Sequence, residues 1–237
     1  MLITKVKTKF KQFLRSLQLN KPAHNQFIFG QKLLSDIALD FTIKNLAFNS
    51  VLDIGSGAGV HADIFASEGK SVTRFDFGKS RAYTDKNDVI VGDFVSYDFS
   101  DKYDLVWASH VLEHTIHTHE FLTKLLAVSS KNGFVAITVP PAKSEFVGGH
   151  VTLWTPTLLL YRMVLAGFDC KEAVVLNYGY NISVICPAKR NQMEMNDLAW
   201  DFNDIERLSE WLPDDIVPRM DGARYGKTYR SAETYLF

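Results

Sequence analysis

Cysteine is scarce in this chain. The 237 residues hold two, Cys170 and Cys186, set apart in apolar, strand-like runs. That excludes a disulfide framework or a cysteine metal cluster and leaves buried free thiols of a reducing compartment. Long apolar runs are missing too. No stretch approaches the ~20 residues of a membrane-spanning helix and no signal-peptide core is seen, so the expected location is cytoplasmic, without integral membrane contact. Nor does charge of one sign prevail. With 26 Lys and Arg against 27 Asp and Glu the net charge is −1, which offers no basic field for nucleic acid. No repeat or low-complexity tract helps to divide the chain. What remains, 46% hydrophobic and 22% charged residues, is an ordinary globular composition, enough for one α/β domain with attachments.

The chain is organised around Val51-Leu52-Asp53-Ile54-Gly55-Ser56-Gly57-Ala58-Gly59. Its apolar start reads as a buried strand of a parallel sheet. Three glycines on alternate positions follow, then a helical pattern through Ile64 and Phe65 that closes at Gly69. This is the first half of a βαβ unit, with a turn tight enough to need glycine and open enough for a ligand to lie against it. A dinucleotide fingerprint needs glycine or alanine at the sixth position, where Val60 stands, and no Lys-Ser/Thr pair marks a Walker loop. Asp53, at the strand end, suits a cationic ligand such as a sulfonium or an ammonium.

At this point the chain resembles the class I S-adenosylmethionine-dependent methyltransferases, whose first motif is a hydrophobic strand, an acid and Gly-x-Gly-x-Gly. Further segments match in order: Ser71 to Asp76, Val89 to Phe94, Tyr103 to Ser109, the "VLEH" run His110 to His114, Asn132 to Pro140, and His150 to Phe168. The resemblance covers roughly residues 50–187 and neither end. It implies a doubly wound, mostly parallel seven-stranded sheet (the Rossmann-like methyltransferase fold) with helical extensions at both ends. The divisions expected are an N-terminal lid or extension at 1–48, a cofactor-binding core at 49–188, and a C-terminal extension with a basic–aromatic tail at 189–237. It implies S-adenosylmethionine as cofactor, cradled by Asp53, Gly55, Ser56, Gly57 and Gly59. Asp76 would accept hydrogen bonds from the ribose diol, and Asp93 would meet the adenine amino group, although Gly-Asp is also a common turn pair. Phe77 and Phe94 would sandwich the adenine, with packing in the core as the alternative. Ser109 and His110 would line the methionine or acceptor side.

The ends are read from pattern alone. Seven basic residues and no acid precede Asp36, and Phe10, Phe13, Leu14 and Leu17 recur at helical spacing. That predicts a basic amphipathic helix, docked with its lysines in water, serving as a lid or an anion collector, or touching a membrane surface. Phe27 to Phe48 reads as one longer helix. After the core, 170–176 and 181–187 read as two strands of a hairpin. Leu198, Phe202, Ile205 and Leu212 fit one helical face stopped by Pro213. The tail mixes Arg219, Arg224, Lys227 and Arg230 with Tyr225, Tyr229, Tyr235 and Phe237; it would stack on a sugar or base, pack on the domain, or form a homodimer contact.

Four of the seven histidines fall within ten residues: His110, His114, His117 and His119. His110-x-x-Glu113-His114 is literally an inverted zinc-peptidase motif, but it follows a sheet strand within a methyltransferase pattern, in a chain too short for that fold. On a helix, its three polar residues share a face. His117 and His119 lie off the motif and read as surface residues. Methylation of an alcohol gains from a base or a metal that removes its proton. A metal-free histidine base is the favoured expectation, with His150 and His110 leading and Glu113 and His114 beside them. A divalent metal on Glu113, His114 and His150 is the alternative, from a similar Glu-x-x-Glu-His with a later histidine in small-RNA 2′-O-methyltransferases and some quinone O-methyltransferases. His110 replaces the first glutamate of that set, which disfavours Mg²⁺ and leaves Zn²⁺, Mn²⁺ or Fe²⁺. The expected activity is O-methylation of a small-molecule acceptor, a sugar or nucleotide-linked sugar of glycan or secondary-metabolite biosynthesis. The alternatives are a phenolic or quinone-precursor hydroxyl, or a non-catalytic cofactor-binding partner subunit.

Overall fold

A computed structural model describes residues 33–84, 88–201, 203–214 and 216. Seven strands form one sheet: β1 (Ser50–Ile54), β2 (Ser71–Asp76), β3 (Val89–Val91), β4 (Tyr103–Ser109), β5 (Ser129–Val139), β6 (Val174–Tyr178) and β7 (Asn181–Pro187), in the order β3-β2-β1-β4-β5-β7-β6. The first five are parallel, and the β6–β7 hairpin closes the sheet antiparallel to β5. The strand order therefore reverses between β1 and β4, where open α/β sheets form their binding crevice.

Strand alternation sorts the core onto two faces. Leu105 and Trp107 of β4 face one way with Val51 of β1 and Ala38, Leu39 and Phe41 of α1 (Asp36–Asn45), alongside Phe65 of α2 (Val60–Ser67). Val106 and Ala108 face the other way with Leu52 and Ile54, covered by Leu122 and Leu125 of α3 (Thr118–Val128) and Leu159, Leu160, Met163 and Val164 of α4 (Pro156–Leu165). Helix α4 follows its sequence signals: Thr155 Oγ1 accepts from the Leu158 N–H at 3.1 Å, Pro156 opens the first turn, and Gly167 follows the end at φ +97°. Both cysteines are free and buried.

Three expectations change. The helix expected over Phe27 to Phe48 is helical only from Asp36 to Asn45 among the described residues, because Ser35 takes a left-handed conformation and begins it. Strand β5 starts at Ser129, ahead of the segment matched from Asn132, and pairing with β4 jumps from Tyr103↔Ser129 to Leu105↔Phe134. The C-terminal face is not one helix. It is a 3₁₀ turn at Met195–Asp197, a short α5 (Asp204–Leu208) and a second 3₁₀ turn at Ser209–Trp211. Buried Asp204 accepts from the Ala199 and Asp201 N–H groups and breaks the pattern into turns. Leu198, Leu208, Leu212 and Ile216 join the main core, so this segment is packed on the domain. The basic helix expected within residues 1–32, Phe202 and the tail from Arg219 lie outside the described residues. No described helix is long and apolar enough to cross a membrane.

Candidate active site

The glycine turn is held by backbone. Gly55 and Ser56 N–H both donate to the Phe75 carbonyl, at 2.8 and 3.1 Å, which ties the end of β1 to the end of β2. Gly55 sits at φ +70°, and a Cβ there would lie 2.3 Å from Val111 Cγ2. Only glycine lets this turn press against the segment after β4. Asp76 is 4% exposed, and its two oxygens accept from the Gly57 and Gly78 N–H groups, each at 2.8 Å. It thus orders the turn, and each oxygen keeps a further lone pair.

Asp53 is 2% exposed, and its Oδ2 has no partner among the described residues. Burial pushes its pKa up to about 7, against the lowering effects of Arg74 and the Ala62 N–H. Buried Ser56 Oγ is likewise without a partner among the described residues. Orphaned polar atoms beside a glycine cradle suit a polar, cationic ligand. Asp93 is exposed, and its Oδ1 accepts from the Val95 N–H at 2.9 Å, a turn bond of the kind Gly-Asp favours. Of the two phenylalanines expected to sandwich an adenine, Phe77 keeps an open face at 59% exposure, whereas Phe94 is only 5% exposed. Phe94 packs against Phe75, Phe99 and Phe121 and belongs to the core, which corrects its expected role.

The histidine motif converges, though not on an α-helix. Leu112–His114 is a single 3₁₀ turn, and His110 precedes it in a left-handed conformation at φ +56°. Residues i and i+3 eclipse in 3₁₀ geometry, which brings His110 Nδ1 to 3.1 Å from Glu113 Oε1. His110 Nε2 lies 3.0 Å from Asn181 Oδ1. Both ring nitrogens are therefore engaged, which removes His110 from the candidate bases. Its burial pulls its pKa down, but the bonds to Glu113 and Asn181 and the charge of Glu113 leave it raised. Ser109 is also committed, its Oγ 2.6 Å from Ser35 Oγ.

Glu113 is 1% exposed, and its Oε2 has no partner among the described residues. His114 Nδ1–H donates to the Gly149 carbonyl at 2.8 Å, so Nε2 carries the lone pair, 3.9 Å from Glu113 Oε1. The Val151 N–H donates to the Glu113 carbonyl at 2.8 Å and pins the 147–152 loop here. His150 comes with it, its ring 5.0 Å from that of His114. One donor atom each from Glu113, His114 and His150 lies within 4.8 Å of the others. His117, just before α3, and His119, in its first turn, are exposed and outside this group. Beside it opens a cleft of about 310 Å³, lined by Pro140, Pro141, Lys143, Phe146, Leu153 and Tyr180 among others. A larger depression of about 670 Å³ lies at the opposite, amino ends of β1 and β4, where Asp104 is spent on the Asn49 and Ser50 N–H groups and Ser130 Oγ.

Sequence reasoning missed Ser35, Asn181 and Tyr180. Tyr180 stacks on His110 with centroids 6.1 Å apart at 17°. Asn181 is 71 positions from His110 and was readable only as the first residue of a hairpin strand.

The methyltransferase domain family matches residues 24–173, a span that holds the glycine turn, the histidine motif and the loop to His150. The chain belongs to this family. It has the class I methyltransferase fold. The ubiquinone biosynthesis O-methyltransferase of Rickettsia typhi is 30% identical over 145 residues, which are 52% of this chain and 59% of that protein. The match thus spans about three-fifths of that relative's length. Solved methyltransferases share the fold. The Burkholderia thailandensis 1,6-didemethyltoxoflavin-N1-methyltransferase, bound to 1,6-didemethyltoxoflavin and S-adenosylhomocysteine, has a TM-score of 0.54 at 14% identity, over 78% of this chain and 90% of its own. An S-adenosylmethionine-dependent methyltransferase from Aquifex aeolicus has a TM-score of 0.51 at 15% identity, over 64% and 89%.

Proposed function

We propose that this methyltransferase methylates a hydroxyl of a small, ring-shaped acceptor held in the cleft beside His150. The observation that carries the reading is the convergence of Glu113, His114 and His150 within 4.8 Å of one another. This group follows β4 at the switch point, where Val111 already touches the glycine turn. Asp53 would face the positive charge of the cofactor, Asp76 its ribose diol and Phe77 its adenine.

Methyl transfer from a sulfonium is an in-line displacement at carbon, so the protein mainly orients the reactants and excludes water. The acceptor oxygen must also lose its proton. The His150 ring makes no hydrogen bond among the described residues and is free to take it, with His114 Nε2 next to it. A general base of this kind contributes roughly a hundred- to ten-thousandfold.

A divalent metal is the second reading, favoured by the donor set itself. One carboxylate with an orphaned buried oxygen and two imidazoles would hold it, and the Gly149 carbonyl fixes the His114 tautomer as an outer-shell partner should. When bound, it would acidify the acceptor hydroxyl. The cleft also bears on the acceptor. Its lining of Pro140, Pro141, Phe146, Leu153 and Tyr180 is largely apolar, and its volume is near the lower limit of small-molecule sites. This supports the phenolic alternative over a nucleotide-linked sugar.

The test is methyl transfer from labelled S-adenosylmethionine to a panel of catechols, simple phenols and nucleotide-linked sugars. His150→Ala and Glu113→Ala should each lower kcat at least a hundredfold while S-adenosylhomocysteine affinity holds. Activity lost to EDTA and restored by one added metal selects the metal reading. Near-normal kcat in both variants, without sensitivity to chelator, would sink both schemes.

A further inference from the structure

We propose that Asn181 is a positioning residue of the active site: through His110 it sets the Glu113 carboxylate beside His114 and His150. The inference rests on the reading that these last three residues act together.

Asn181 opens β7 and is 6% exposed. The orientation of its amide is decided by two backbone partners. Oδ1 accepts from the Ser35 N–H at 3.1 Å, and Nδ2 donates to the Tyr178 carbonyl at 3.4 Å. The oxygen that faces His110 Nε2 at 3.0 Å is therefore an acceptor, and Nε2 must carry a hydrogen. That bond, with Tyr180 stacked on the ring, turns Nδ1 to Glu113 Oε1 at 3.1 Å. The residue adopts φ +56° to present its ring this way, a conformation uncommon for any residue but glycine.

At its far end the chain meets a carboxylate that is 1% exposed. Its oxygen Oε1 is held by His110, and Oε2 has no partner among the described residues. Without His110 in place, a buried carboxylate would swing toward the nearest remaining donor, and its three-way convergence would be lost. At its near end the chain is tied to the start of α1, because Ser35 also bonds Ser109 at 2.6 Å. Four residues from three segments distant in sequence thus meet in one file of hydrogen bonds, Ser35–Asn181–His110–Glu113, that ends at the proposed reactive group.

The experiment uses the full chain with Co²⁺ as a spectroscopic probe of donor convergence, read from its visible ligand-field bands. Wild-type protein should bind one Co²⁺, with bands that Glu113→Gln shifts and an affinity that it weakens to a still measurable level. Asn181→Leu should weaken Co²⁺ binding at least tenfold, while Asn181→Asp, which keeps an acceptor for Ser35 N–H and His110 Nε2–H, should retain most of it. In a Glu113→Gln background Asn181→Leu should add less than a twofold effect, because a residue acting through Glu113 has nothing left to set. S-adenosylhomocysteine affinity by calorimetry should stay within twofold throughout. An Asn181→Leu variant that binds Co²⁺ like wild type, or a loss that simply adds to that of Glu113→Gln, overturns the inference alone. Wild-type protein without bound-Co²⁺ bands overturns it together with the convergence on which it rests.

Discussion

A carboxylate buried to 2% exposure with one oxygen unpartnered is a costly feature, and Asp53 is one. Burial raises its pKa from 3.8 to about 7, so the folded protein holds this proton more tightly than the unfolded chain. The sign follows: its contribution to stability is full below about pH 4 and is lost as pH rises through about 7. Melting curves from pH 4 to 8 should show the wild type losing stability relative to Asp53→Asn across that window. Parallel profiles would mean that Asp53 is not held protonated. Asp76 belongs to the same scale. Asp76→Ala removes the acceptor of the Gly57 and Gly78 N–H groups as well as the proposed ribose contact. S-adenosylmethionine affinity should fall at least tenfold, and stability by roughly 1–3 kcal/mol. Unchanged affinity by calorimetry in a folded variant would remove Asp76 from the site.

Among the elements, the glycine turn and the 3₁₀ turn after β4 are one mechanical unit, because Gly55 and Val111 touch. Gly55→Ala would set a Cβ 2.3 Å from Val111 Cγ2 at φ +70°. The left-handed backbone alone costs about 1–2 kcal/mol for a residue with a Cβ. The clash adds to this and pushes the turn that carries Glu113 and His114. Adding Val111→Ala should recover part of the stability but not the backbone cost. If denaturation showed Gly55→Ala as stable as wild type, this packing would be disproved. The spacing of His110, Glu113 and His114 was legible as a convergence, yet the element that achieves it was not. An α-helix and a 3₁₀ turn both bring i and i+3 together, so the pattern cannot distinguish them. The left-handed His110 is settled by partners 71 residues away.

At the scale of the whole molecule, the segment after β7 completes the core. Leu208 and Leu212 are fully buried against the sheet's α3–α4 face. Leu208→Ala should cost about 2–5 kcal/mol in urea denaturation, a large share of the ~5–15 kcal/mol typical of a domain. S-adenosylhomocysteine affinity of the folded fraction should be unchanged. A cost below about 0.5 kcal/mol, the level of ordinary surface substitutions, would make the segment an appendage.

The fold and the glycine turn were legible because their causes are local. Short continuous apolar runs, glycines at tight turns and a capped helix at Thr155 each act within a few residues, and their order along the chain implies the doubly wound sheet. The places of Asp53 and Asp76 at the ends of their strands were legible for the same reason. The divided roles of Phe77 and Phe94, the engagement of both His110 nitrogens, the apolar lining of the cleft and the Ser35–Asn181 link were not. Each depends on which distant surface packs against a side chain, and that is decided only when α1, the 147–152 loop and the β6–β7 hairpin close over the ends of β4 and β5.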